Sequence, residues 1–237
     1  MPTRGFLLAA LLTFALVAAA QTVPPPKSVP QIVFAFDRPG APVPKYQLTI
    51  HRDGSAVYAG EEQPRTSGQY LANSEPPAAA SSQPFHSEVA ISSSTVSHVF
   101  TLAQKLDHFN TTCASKLKNI ADTGTKTLTY TASDATGSCT YNYSENKDVE
   151  ALTQAFEGIA ETMDMGRQLD YLHRYDRLGL DAAIRSLAEE VSAGRALEVG
   201  TIAPTLKSIS EDAMVIQRVR AKADSLLTLV PAGIPPR

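Results

Sequence analysis

Tryptophan is absent from this 237-residue chain and aromatic residues make up only 7% of it, which disfavours an aromatic platform for stacking sugars. Cysteine occurs twice, at Cys113 and Cys139. Catalytic dithiols are usually only two residues apart, so a redox-active pair is not expected. The thirteen glycines nowhere take the spacing of a phosphate-cradling loop. No serine sits in Gly-x-Ser-x-Gly, or in Ser-x-x-Lys followed by the further motifs a hydrolase of that type needs. The net charge is only −3, with both signs mixed along the chain, so electrostatics supplies no reason to expect nucleic acid or anionic lipid as a partner. An apolar fraction of 43% is too high for wholesale disorder.

What is present begins at the N-terminus. Arg4 supplies a positive charge, Phe6 to Val17 is apolar except for Thr13, and Ala18-Ala19-Ala20 offers small residues to a signal peptidase. The pattern predicts a signal peptide over residues 1–20 and a mature chain starting at Gln21. A spanning helix needs about 20 apolar residues; this run is shorter and meets Pro24-Pro25-Pro26. No cysteine precedes Cys113, so a lipid-modified cleavage site is excluded. No later run is long and apolar enough to span a bilayer. The expectation is an exported protein, periplasmic or secreted, without stable membrane insertion after cleavage.

Residues 21–30 contain four prolines and read as an extended tether. Ile32, Phe34 and Phe36 then alternate up to the turn signal Asp37-Arg38-Pro39-Gly40. Tyr46, Leu48 and Ile50 alternate again, and Asp53-Gly54 predicts a hairpin returning through Ala56 to Tyr58. Residues 61–83 read as a loop with a short strand near Gln69 to Leu71. Phe85 to Ile91 is the next strand. Ser92-Ser93-Ser94 offers N-caps for a helix carrying Val96, Val99, Phe100, Ala103 and Leu106 up to Phe109. A second hairpin pairs Thr127 to Thr131 with Ser138 to Tyr143.

From Asn146 the apolar period changes from two to 3.6. Val149, Leu152, Phe156, Ile159 and Met163 predict one helix, and Ile184, Leu187, Ala188 and Val191 a second that closes near Gly194. A third starts around Leu197 and meets Pro204. Ser208 and Glu211 have capping-box spacing, which predicts one long last helix through Val215, Ile216, Val219, Ala223, Leu226 and Leu227. The fold class is α+β: a small antiparallel sheet with one packed helix over 31–144, a helical region over 146–230, and a flexible tail over 231–237. The joint at Ser144 to Lys147 is too short for a free linker, so the helices should pack partly against the sheet.

Pro44-Lys45-Tyr46-Gln47-Leu48-Thr49-Ile50-His51-Arg52-Asp53-Gly54-Ser55, followed by Val57-Tyr58-Ala59-Gly60, resembles the opening hairpin of an exported bacterial domain family of unknown function. That resemblance covers residues 44–143 and implies four strands, a helix and two further strands. It implies no activity and no catalytic residues.

Export would place Cys113 and Cys139 in an oxidising compartment, and a disulfide between them is expected. His51 with Asp53, and His86 with Glu88, have the spacing that puts two ligands on one strand face. Zinc needs three or four converging ligands, so no metal site is expected. His98 and His108 read as ten apart on one helix, too distant to share an ion. His173 could pair with Asp176 if its helix continues, and Arg167, Asp170, Arg174, Asp176 and Arg177 read as a salt-bridged surface. Asn110-Thr111-Thr112 and Asn142-Tyr143-Ser144 match the glycosylation pattern by chance in a bacterial protein.

No catalytic residue and no cofactor is expected. The best-supported function at this point is a non-catalytic binding or structural module with an unknown protein partner. A periplasmic hydrolase assembled from scattered polar residues, and an enzyme inhibitor or regulatory protein, are the alternatives. Oligomeric state is open. The last helix carries more apolar surface than one stripe requires, so it is either enclosed in the monomer or part of an interaction patch.

Overall fold

A computed structural model of the protein describes residues 29–62 and 82–230. The expected signal peptide, most of the tether, the strand near Gln69 and the tail lie outside the described residues. Six strands form one sheet in the order β4-β3-β2-β1-β5-β6, every neighbouring pair antiparallel. They are β1 (Gln31–Asp37), β2 (Lys45–His51), β3 (Ser55–Glu62), β4 (Gln83–Ala90), β5 (Thr125–Thr131) and β6 (Thr136–Tyr141). Helix α1 (Ser93–Lys105) lies between β4 and β5 in sequence. Thus the fold is α+β, with a larger sheet than the sequence suggested.

Alternation sorts each strand into a buried and an open face. Register sets Tyr58, Leu48, Phe34, Leu128 and Cys139 in one row across five strands, and all five are buried. Two helices, not one, cover this face. α1 contributes Val96, Val99, Phe100 and Ala103, and α2 (Lys147–Tyr175) contributes Val149, Leu152, Phe156, Ile159 and Met163. Phe156 stacks on Phe34 with ring centroids 5.2 Å apart. Asn146 caps α2, its Oδ1 accepting from the Asp148 amide at 2.9 Å, and Asp148 and Glu150 sit where the helix dipole favours anions.

At 29 residues, α2 is about 43 Å long and outruns the sheet. Its far end enters a second core, where Leu169 meets residues of α3 (Leu180–Ser192), α4 (Ala203–Glu211) and α5 (Gln217–Leu227). Segment 195–202 lies close along α2. Leu197 donates to the Gly158 carbonyl at 2.9 Å, and the Thr162 hydroxyl donates to the Leu197 carbonyl at 2.6 Å. Gly158 and Gly166 make that approach possible, since a Cβ on either would run into Leu197 or Ile202.

Several expected boundaries move. α1 stops at Lys105, and Asp107, His108 and Phe109 form a tight turn with φ of 50°, 52° and 69°. This turn buries Phe109 completely and takes His108 off the helix that carries His98. Pro204 opens α4 rather than ending a helix, because the first helical turn needs no amide hydrogen there. Ser208 and Glu211 fall at the end of α4, not at a cap. The chain breaks at Asp212, whose Oδ1 accepts from the Met214 amide at 2.8 Å, so the last helix is two helices. Val215, Val219 and Leu226 are buried, whereas Met214, Ile216 and Leu229 are exposed.

Candidate functional site

Under α2, at the β3–β4 side of the sheet, lies the densest group of perturbed ionisable side chains. Glu157, Glu161 and Asp164 recur at helical spacing on α2, one face of the helix. Tyr58 of β3 donates its hydroxyl to Asp164 Oδ1 at 2.8 Å. The Arg167 guanidinium approaches Asp164 at 2.9 Å and Glu62 at 3.2 Å and lies 3.6 Å from the ring centroid of Phe85. Its buried nitrogens form no aligned hydrogen bond among the described residues. Charge and ring stacking therefore hold Arg167 in place.

Burial raises the Asp164 carboxyl to about 6; the Arg167 charge and the Tyr58 hydrogen bond pull it down without offsetting the lost solvation. Burial likewise raises Glu157, against the pull of Lys126, and raises Glu161, to which Glu190 adds repulsion. Burial and the Asp164 charge push the Tyr58 phenol well above its ordinary range. Asp164 can therefore hold or release a proton in mildly acidic solution. The Tyr58 hydroxyl and Arg167 both converge on its Oδ1.

Lys126 is the second unusual charge. It is 5% exposed, and its ammonium donates to the carbonyls of Thr123 and Asn142, both at 3.2 Å. Burial pushes it below its ordinary value, opposed by Glu157, which is 3.8 Å away. Strand alternation holds the signal for it, because Lys126 shares a face with Leu128 and Tyr130.

A third group joins the two cores. The Glu198 carboxylate accepts from the Ser92 amide at 2.9 Å and from the Ser92 and Thr95 hydroxyls. It sits at the N-terminus of α1, where the helix dipole favours an anion. Ser92 is the N-cap the sequence offered, its Oγ accepting from the Thr95 amide at 3.4 Å.

Cys113 and Cys139 form a disulfide, with Cα atoms 5.8 Å apart; the bond ties the segment after α1 to β6. His86 and Glu88 come within 3.7 Å of each other, with side chains 61% and 80% exposed. His51 ends β2, while the Asp53 carboxylate accepts from the Ser55 amide and hydroxyl. His173 pairs not with Asp176 but with Asp212, at 2.9 Å, which also takes Arg177 at 3.1 Å. The amide of Met214, then His173, holds Asp212 below its ordinary value. Arg167 is enclosed rather than part of a surface network, whereas Arg174 does pair with Asp170. Among the described residues, no group of three or more His, Cys, Asp or Glu side chains could hold a metal ion.

The sheet face away from α1 and α2 carries Val33, Ala35, Gln47, Thr49, Val57, Ala59, Thr127, Thr129, Ser138 and Thr140, none of them buried. Thr127 meets Thr140, and Thr129 meets Ser138, hydroxyl to hydroxyl at 3.0 Å. No protein-family model and no curated protein matches this chain.

Proposed function

We propose that this is an exported, disulfide-bonded, non-catalytic binding module that meets a protein partner on the open face of its sheet. The observation that carries this reading is the contrast between the two sheet faces. One is sealed by two helices, while the other presents short hydroxyl, methyl and amide side chains in register. Such a face offers many small contacts, and its hydroxyls and amides favour a partner that supplies matching hydrogen-bond groups, since burying them unpaired is costly. Two of the perturbed charges are engaged internally, Asp164 by Tyr58 and Arg167 and Lys126 by carbonyls, and the Glu198 carboxylate is held at a helix end.

Export rests on the N-terminal pattern and accords with the Cys113–Cys139 bond, since disulfides persist in oxidising compartments. The resemblance of residues 44–143 to an exported domain family of unknown function points to the same compartment.

Affinity capture from the envelope fraction tests the reading when wild type is compared with a Val57→Arg, Thr129→Arg variant. A partner retained by wild type and lost by the variant supports it. Hydrolysis of an envelope component that disappears in Asp164→Asn contradicts it.

A further inference from the structure

The six-stranded sheet has two edges, and they are finished differently. β6 is covered: Asn110 donates to the Thr136 carbonyl at 3.2 Å, and the backbone of His108 crosses so close to Gly137 that no side chain would fit there. β4 has no such cover among the described residues, and Gln83, Pro84, His86 and Glu88 along it are exposed.

The direction of the backbone groups follows from one hydrogen bond. Ile91 donates to the Gly54 carbonyl of the β3 side at 2.8 Å. Antiparallel strands alternate inward and outward pairs, so Val89, Ser87 and Phe85 bond to β3, while Ala90, Glu88, His86 and Pro84 turn their backbone groups out. Pro84, which has no N–H, occupies an outward position, as a proline in an edge strand must. Among the described residues, nothing pairs with the outward donors and acceptors of β4 from His86 to Ala90. Of the devices that blunt such an edge it carries Pro84, at one end, and Glu88, but no lysine.

The sequence of β4 is self-complementary about Ser87. In a two-fold antiparallel pairing centred there, His86 faces the partner's Glu88, Phe85 faces the partner's Val89, and Pro84 faces the partner's Ala90. The two neighbouring registers that also match outward groups to outward groups fare worse. Centring on Glu88 sets two carboxylates directly opposite, and centring on His86 sets two imidazoles opposite. Like charges facing each other across strands are destabilising and unlike ones favourable. A two-fold axis perpendicular to the sheet also keeps the helical layers of both copies on the same side, so the open faces would merge into one surface.

We infer that β4 is a self-recognition edge, through which two copies of this chain pair antiparallel about Ser87 into a continuous twelve-stranded sheet. Ser87 then falls in a non-hydrogen-bonded pair at the axis, with Cα atoms about 4.5 Å apart, within the span a disulfide bridges. Both native cysteines are already bonded to each other, so a thiol introduced at this position is the only free one. His86→Pro removes an outward donor and leaves the ladder to β3 intact.

Sedimentation velocity of the purified chain over a micromolar concentration series, with crosslinking under mild oxidant, tests this pairing. Wild type should show a dimer boundary that grows with concentration, and His86→Pro should lose it while keeping its melting temperature. Ser87→Cys should crosslink between copies, and Thr140→Cys on β6 should not. A wild type that stays monomeric, a folded His86→Pro that still dimerises, or Thr140→Cys crosslinking as fast as Ser87→Cys overturns the inference. Should His86→Pro unfold, the comparison of the two thiol variants decides.

Discussion

Ser92 and Glu198, 106 positions apart in sequence, are joined by a backbone amide and a hydroxyl that both donate to one carboxylate. The contact holds the start of α1, which belongs to the sheet core, to the segment that enters the helical core. Together with the uninterrupted α2, it makes the two cores mechanically continuous.

Glu198→Ala should therefore destabilise more than an ordinary surface change. It strips an acceptor from three donors at a helix end, and a lost charged hydrogen bond of this kind costs about 1.5–3 kcal/mol. Urea unfolding followed by circular dichroism measures the loss. An effect no larger than that of Glu189→Ala, on α3, would show that the contact contributes little.

Asp164 sets a pH dependence of known sign. Its folded carboxyl titrates at about 6, above its ordinary 3.8. Between those values the folded chain binds more protons than the unfolded one, so this group's contribution to stability falls as pH rises through the window. The slope is at most about 1.4 kcal/mol per pH unit for one proton. Asp164→Asn keeps an acceptor for Tyr58 and should flatten the profile between pH 4 and 6. Thermal melts across that range, on wild type and variant, give the comparison.

Gly166→Ala sets helix propensity against packing. Propensity alone would favour alanine by about 1 kcal/mol. The added methyl, however, meets the Ile202 side chain, and overpacking a tight contact costs about 1–3 kcal/mol. A net loss of stability is the expected outcome, with Gln154→Ala against Gln154→Gly, at an exposed position of the same helix, as the propensity control.

The disulfide closes a loop with a sequence separation of 26. Restricting the unfolded chain to that extent is worth about 3–4 kcal/mol in the loop-entropy account. Cys113→Ser should lower the melting temperature and leave the far-ultraviolet spectrum unchanged. Non-reducing peptide mapping of the wild type should recover the linked pair.

Much of the sheet was legible because one-sided burial writes alternation into the chain: Ile32 and Phe34, Tyr46, Leu48 and Ile50, and the threonines flanking Leu128. The start of α2 was legible from Asn146 and its acidic first turn. What escaped were features decided by distant partners. Lys126 alternates inward with its neighbours, yet its burial is tolerable because the carbonyls of Thr123, Gly124 and Asn142, the Thr123 hydroxyl and the Glu157 carboxylate surround its ammonium. Glu198 accepts from a helix N-cap, Ser92, that lies 106 residues earlier. His173 finds Asp212 because two helical connections meet, which no spacing within α2 encodes. The left-handed turn at His108 replaces the end of a helix so that Phe109 can be buried, a tertiary demand that overrides the helical pattern. The long last helix was misread because Ser208 and Glu211 have capping-box spacing, whereas Asp212 is the residue that turns the chain.

Intact-mass analysis of the protein recovered from its native host tests export and oxidation together. An exported, oxidised binding module should be recovered outside the cytoplasm as a chain beginning at Gln21, with Cys113 and Cys139 bonded and no thiol open to alkylation. A chain that retains Met1, remains in the cytoplasm or membrane, and alkylates at both cysteines would contradict it.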